Sequence, residues 1–176
     1  MTESNGTKNA LARSMKKLMS EKSFAKISIT DICDGCGMNR KSFYYHFKDK
    51  YDLMNWIFYS DFIGMIGSTQ CENGWDLLEA VCEMFYKDQK FYRSAFKIEG
   101  QNSLREYLIE SMLPIVDFMF EDTWGDIEFR DIIGKMFCEA YIMAVTYWLD
   151  SGCAYPPKAF VGAIKELIRR LGREAG

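Results

Sequence analysis

Residues 28–47, SITDICDGCGMNRKSFYYHF, restrict the possible folds more than any other part of the chain. Two short runs with apolar residues at Ile32, Met38, Phe43 and Phe47 flank a turn that carries Gly35 and Gly37. Ser28 followed three residues later by Asp31 has the pattern of a capping box, in which side chain and backbone N–H satisfy each other reciprocally. Asn39 is placed to cap a second helix from Arg40 to about Phe47. Two short helices meeting at a Gly-bearing turn of about three residues form the helix-turn-helix arrangement.

Helical periodicity extends over the rest of the chain. Residues 7–20 place Leu11, Met15, Leu18 and Met19 on one face, with Lys8, Arg13, Lys16 and Lys17 largely elsewhere. Ile27-Ser28-Ile29-Thr30 is too short for a strand and has no hairpin partner. Apolar residues at three and four predict a helix over 49–66, and Asn73-Gly74 breaks the chain after it. Helices follow over 75–87, 89–98 and 102–121, the last with Pro114 as an expected kink. The polar stretch Glu121-Asp122-Thr123 leads into a long helix over 126–150, stopped by Ser151-Gly152. Pro156-Pro157 opens the final helix, 157–171, with proline suited to the first turn. The expected fold class is all-α.

Charge divides the chain. Residues 1–50 hold ten Lys or Arg against five acids, and the other 126 residues hold 12 basic against 20 acidic groups. A basic N-terminal third on an acidic body suits a polyanion. At 176 residues and 48% hydrophobic content, the chain can bury a real core without disulfides or metal. The first thirty residues lack the apolar run of a secretory signal, and the ten-residue run Ala140–Leu149 is too short to cross a bilayer, so a cytoplasmic protein with reduced thiols is expected.

The segment from Ser28 to Lys50, and above all Phe43-Tyr44-Tyr45-His46-Phe47 followed by Lys48-Asp49-Lys50, resembles the DNA-binding signature of the TetR family of transcriptional regulators. The resemblance implies a three-helix helix-turn-helix DNA-binding domain over residues 1–48 and a helical effector-binding and dimerisation domain over 49–176. It points to Arg40, Lys41, Ser42, Tyr44 and Tyr45 for contacts in the major groove, and to Thr30, His46 and Lys50 for the DNA backbone. Chemistry agrees. The first turn of a recognition helix reaches base edges, where Arg40 and Lys41 can meet guanine acceptors or phosphates. Ser42 permits close approach, and the two tyrosines can donate to phosphate oxygens. Lys50, at the start of the next helix, could clamp a phosphate.

Other chemistry finds less support. Cys33-Asp34-Gly35-Cys36 has the C-x-x-C spacing of zinc or redox sites, but no second pair stands at suitable spacing, and cysteine also packs as a small hydrophobe. His46 is the only histidine and has no second imidazole with which to share a metal. Together with scattered acids it forms no catalytic constellation, so neither an enzyme nor a bound cofactor is expected.

The C-terminal two-thirds are crowded with Met and aromatic residues. An effector pocket there would be lined by helices 75–87, 102–121 and 126–150, using Met84, Phe85, Met112, Phe118, Tyr141 and Trp148. The competing reading is a helical bundle filling irregular gaps. Helix 126–150 is apolar nearly all round from Ala140 to Leu149 and helix 157–171 adds a second stripe, which suggests a homodimer formed by two helices from each subunit. Two-fold symmetry then predicts a palindromic operator on double-stranded DNA. Within the family, residues 22–29, 39–44 and 51–58 resemble a Firmicute-type subgroup that includes an activator of the dihydroxyacetone kinase operon. That activator works with a kinase-like co-activator protein instead of binding the metabolite directly, so this resemblance implies a protein co-regulator in place of a small molecule. The alternative is a helical interaction or structural protein that kept the fold and lost operator binding.

Overall fold

The computed structural model describes residues 2–100, 102–119 and 128–174, except the side chains of 2–4, 118, 119 and 174. Among the described residues the regular structure is helical, without strands. The elements are α1 (Thr2–Glu21), a 3-10 turn (Phe24–Lys26), α2 (Ile29–Asp34), α3 (Arg40–His46) and α4 (Lys50–Ile66). They continue as α5 (Gly74–Lys87), α6 (Gln89–Phe96), α7 (Leu104–Met119), α8 (Arg130–Asp150) and α9 (Pro157–Glu174). The expected polar stretch 121–123 and the first residues of the expected helix 126–150 lie outside the described residues.

The chain forms two compact units. One comprises Met1–Asp61 with Lys90–Tyr107, the other Phe62–Gln89 with Leu108–Gly176. The first unit takes in residue 48 and α4 as far as Asp61, and Leu53, Met54, Ile57 and Phe58 of α4 are buried.

In the first unit, α1 packs on α2 and α2 on α3. Leu11, Met15, Ile32, Phe43 and Leu53 are fully buried, and Met19, Phe24, Ile27 and Phe47 nearly so. Leu18 and Met38 are half-buried, less than the sequence pattern suggests. A polar joint ties three helices together. Asp61 of α4 accepts from Lys16 of α1 at 2.9 Å and from the Tyr92 hydroxyl of α6 at 2.7 Å, and the Lys16 ammonium lies 5.0 Å from the Phe91 ring centre.

In the second unit, α9 packs on α5. Trp148 of α8 stacks on Phe160 at 5.0 Å and, at 6.3 Å, on Tyr86, while its indole N–H donates to the Tyr155 carbonyl at 2.8 Å. Val116 and Cys138 centre another cluster with Ile109, Met112, Leu113, Ile133 and Phe137. At 21 residues, α8 is longer than its ten-residue apolar core and meets the length and hydropathy expected of a membrane span. It buries Cys138, Tyr141, Ile142, Val145, Trp148 and Leu149 and leaves Ile132, Met136, Met143 and Tyr147 exposed.

Candidate nucleic-acid interface

The reading head is built by hydrogen-bonded caps. The Ser28 hydroxyl accepts from the Asp31 N–H at 3.1 Å, and the Asp31 carboxylate accepts from the Ser28 N–H at 2.7 Å, completing the capping box. Lys22 adds an ion pair to Asp31 at 3.1 Å. The Ser28 bonds, followed by Lys22, hold the Asp31 carboxyl at about 2, below its ordinary 3.8. After α2 the backbone closes in a Schellman motif. The Gly37 N–H donates to the Asp34 carbonyl and the Met38 N–H to the Cys33 carbonyl at 2.9 Å. Gly37 has φ +69°, a left-handed conformation that glycine adopts without strain. Gly35 is required for a different reason, since a Cβ there would collide with the Ser14 hydroxyl of α1, which is buried and donates to the Ile32 carbonyl at 2.7 Å.

Asn39 then caps α3, its side-chain oxygen accepting from the Ser42 N–H at 2.9 Å. Phe43 and Phe47 turn inward, 0% and 3% exposed, and fix the roll of this seven-residue helix. Arg40, Lys41, Tyr44 and Tyr45 therefore face solvent together, with Tyr45 82% exposed. The Arg40 guanidinium lies 5.9 Å from the Tyr44 ring centre and within 3.5 Å of its hydroxyl, which keeps the long side chain along the helix. Ser42 is half-buried, its hydroxyl directed to the Asn39 side chain at 3.2 Å. Thr30 is exposed at the start of α2. His46 is half-buried, edge-on to Tyr45 at 4.8 Å.

Lys50 stands at the start of α4. Its ammonium donates to the Phe24 and Ile27 carbonyls at 2.8 and 2.9 Å, with the Ala25 carbonyl at 3.5 Å and the Phe24 ring centre at 4.4 Å. Burial moves its pKa down. Sequence reasoning missed this contact because the partners are backbone atoms more than twenty residues away, which no local pattern encodes. The same holds for Lys8, whose ammonium lies 5.7 Å from the Phe47 ring and 5.6 Å from that of Trp56.

Cys33 is buried and Cys36 half-buried, both as free thiols. Burial moves both pKa values up, and the Cys36 thiol lies 3.4 Å from the Ile32 and Cys33 carbonyls, as in ordinary helix packing. Among the described residues, no group of three His, Cys, Asp or Glu is gathered where it could hold a metal.

The residues named for an effector pocket are placed as follows. Met112 belongs to the Val116–Cys138 cluster, and Trp148 is held between Phe160 and Tyr86. The Tyr141 hydroxyl lies 3.1 Å from the Cys82 thiol and 3.4 Å from the Leu78 carbonyl. Burial raises the pKa of this tyrosine and pushes the Cys82 thiol up to about 12. Met84 and Phe85 are buried on α5. The side chain of Phe118 lies outside the described residues.

Comparisons with known proteins agree with this architecture. Residues 14–56 match the family model for bacterial regulatory proteins of the tetR family, and residues 72–170 match that of a transcriptional regulator C-terminal region. The chain is 30% identical over 135 residues to the HTH-type dhaKLM operon transcriptional activator DhaS of Lactococcus lactis subsp. lactis (strain IL1403), spanning 73% of this chain and 72% of that protein. Among solved structures it is similar to the dihydroxyacetone kinase operon activator DhaS, with a TM-score of 0.68 and 21% identity over 94% of this chain and 95% of the other. The fatty acid degradation regulator FadR from Bacillus halodurans gives a TM-score of 0.63 and 14% identity over 92% and 93% of the two chains. At these identities the solved structures establish the fold.

Proposed function

The chain belongs to the tetR family of bacterial regulatory proteins, and on that premise we propose a cytoplasmic, homodimeric regulator that binds a specific palindromic operator and is modulated by an effector. The observation that carries the reading is the outer face of α3, where Arg40, Lys41, Tyr44 and Tyr45 stand exposed over a buried Phe43–Phe47 base. Arg40 and Lys41 on the first turn read base edges in the major groove, a bidentate Arg–guanine contact contributing about 1–3 kcal/mol of discrimination. Ser42 lets the helix approach closely. Tyr44 and Tyr45 reach phosphate oxygens or a thymine methyl, and Thr30, His46 and Lys50 touch the backbone and set the register.

Dimerisation rests on faces that a single chain leaves uncovered. Ile132, Met136, Met143 and Tyr147 form one exposed stripe on α8, and Leu167 and Leu171 continue the pattern on α9. Two helices from each subunit packing through these stripes give a four-helix interface with a two-fold axis, and the two reading heads then meet half-sites about 34–36 Å apart. The effector, a small molecule or a co-activator protein, acts by changing the separation of the heads. The DhaS relative is named as an activator of transcription, which supports a regulator and leaves the sign of control to the position of the operator.

Selection of bound sequences from a random duplex pool, at fixed salt because phosphate contacts make affinity steeply salt-dependent, tests the reading. A palindromic motif is the expected result. A folded dimer that enriches nothing, with or without a co-regulator added, would favour the interaction-protein alternative. Met136→Glu should convert the dimer to monomer in sedimentation velocity; an unchanged sedimentation coefficient would remove α8 from the interface.

A further inference from the structure

We propose that the first unit carries a ligand site of its own, a cavity between α1 and α4 that takes a small aromatic carboxylate. The cavity has a volume of about 160 Å³, and the residues lining it all belong to the first unit. It shares no residue with the effector pocket expected among the helices of the C-terminal two-thirds. The site goes beyond the regulator reading above and does not require it.

Three side chains on the cavity wall have polar groups to spare. Arg13 and Asn9 of α1 and Ser60 of α4 make no side-chain hydrogen bond or ion pair among the described residues. Lys16 and Asp61 also reach the wall, but they are committed to each other at 2.9 Å. The buried Ile57 and the half-buried Trp56 supply apolar surface. Beside them, the Lys8 ammonium lies 5.6 Å from the Trp56 ring centre and has no acidic partner among the described residues.

These groups select the ligand. A cation is disfavoured, because Lys16 neutralises the one carboxylate on the wall and the charges in excess, Arg13 and Lys8, are positive. A bare inorganic anion gains little, since Arg13 is exposed and a single ion pair in water is weak. A hydrocarbon would displace water from Arg13 and Ser60 and return no hydrogen bond. A molecule with an anionic end and an apolar body satisfies both halves of the wall. Its carboxylate meets the Arg13 guanidinium through two parallel hydrogen bonds, and its ring packs against Trp56 and Ile57. A cavity of about 150 Å³ holds benzene, so a single ring is the size that fits. The occupant touches α1 and α4 together and stabilises the unit by mass action.

Benzoate is the probe, titrated into the full-length protein in a buffer free of phosphate and of other carboxylates. Binding is followed by amide shifts in nuclear magnetic resonance spectra, with benzyl alcohol as the neutral counterpart of similar size. Benzoate shifts should saturate with a Kd of about 1 mM and centre on residues 9–16 and 56–61. Benzyl alcohol should bind roughly tenfold more weakly, and Arg13→Met should weaken benzoate by a similar factor, as loss of a charged hydrogen-bonding partner does. The unliganded Tm of Arg13→Met should match wild type, because the side chain is exposed. Ser60→Phe, which fills the cavity and leaves Arg13 in place, should abolish binding; if that variant does not fold, Arg13→Met decides alone.

Shifts centred in the second unit, equal affinity for benzyl alcohol, or unchanged benzoate affinity in Arg13→Met would each overturn the assignment. So would the absence of saturable shifts at concentrations well above the expected Kd. If benzoate does not bind and Arg13→Met makes the salt dependence of operator binding shallower by about one unit of slope, Arg13 is a phosphate contact and the cavity is no site. A protein that binds benzoate and no duplex would refute the regulator reading and leave this one standing.

Discussion

The two units hold themselves together in opposite ways. In the first, helices of six and seven residues are accompanied by directional polar contacts: the Ser28–Asp31 box, the Asn39 cap, the Lys50 bonds to the Phe24 and Ile27 carbonyls and the Lys16–Asp61–Tyr92 joint. In the second, helices of 14 to 21 residues are held mainly by burial of aromatic and aliphatic side chains, with Trp148 between two rings and Cys82 against Tyr141. Directional contacts present a small set of side chains at defined angles, which suits a reading surface. Burial is non-directional and leaves whichever apolar faces are in excess exposed, here stripes of α8 and α9.

The largest test of this contrast is Trp148→Ala. It should cost roughly 3–5 kcal/mol, as large-to-small changes in a closed core do. Stability should fall in denaturant titrations followed by near-ultraviolet circular dichroism, and a loss under 1 kcal/mol would mean that the rings around Trp148 are loosely packed.

Next in size, Arg40→Ala should weaken operator binding by about 1–3 kcal/mol and relax selection at one base position. Its unfolding transition should match wild type, because the residue is exposed; a parallel loss of stability would show that Arg40 belongs to the scaffold.

The close approach of α2 to α1 gives a third test. Gly35→Ala should destabilise by about 1–3 kcal/mol by displacing the Ser14 hydroxyl from the Ile32 carbonyl. Combining it with Ser14→Ala should cost less than the sum of the two single changes, since the first change makes room for the second. Strict additivity in a double-mutant cycle would place the strain elsewhere.

The smallest effects are pH edges of opposite sense. Asp31 titrates at about 2 in the folded protein against an ordinary 3.8, so its contribution is complete above 3.8 and disappears as pH falls through about 2. Cys82 and Cys138 lie at about 12 and 11 against an ordinary 9.0, chiefly through burial. Their contribution is complete below 9 and declines as pH rises towards those values. Amide exchange in α2 should report the acid edge, and thiol labelling at Cys82 and Cys138 the alkaline one. Rapid labelling of Cys82 at neutral pH would show that the second unit opens readily.

The polar design of the first unit was legible because its cues are local. Ser28 to Asp31 spans three residues, Asn39 to Ser42 three more, and Phe43 with Phe47 one turn, so each could be read without a fold. The carbonyls of Phe24 and Ile27 that meet the Lys50 ammonium were not legible, because they lie more than twenty residues away along the chain. The contacts of Tyr141 with Cys82 and of Trp148 with Tyr86 and Phe160 were not legible either, since aromatic and Met content records how much side chain must be buried and says nothing about which partners each will meet.

Sequence alone thus determined the all-helical class, the caps and turn of the reading head, and the outward residues of α3, because hydrogen bonds across three residues and a 3.6-residue period are short-range facts. The tertiary structure decided the destination of the Lys50 ammonium, the three-helix joint at Asp61 and the side of α8 that is buried. Those depend on atoms separated by tens of residues, and only packing brings them within contact distance.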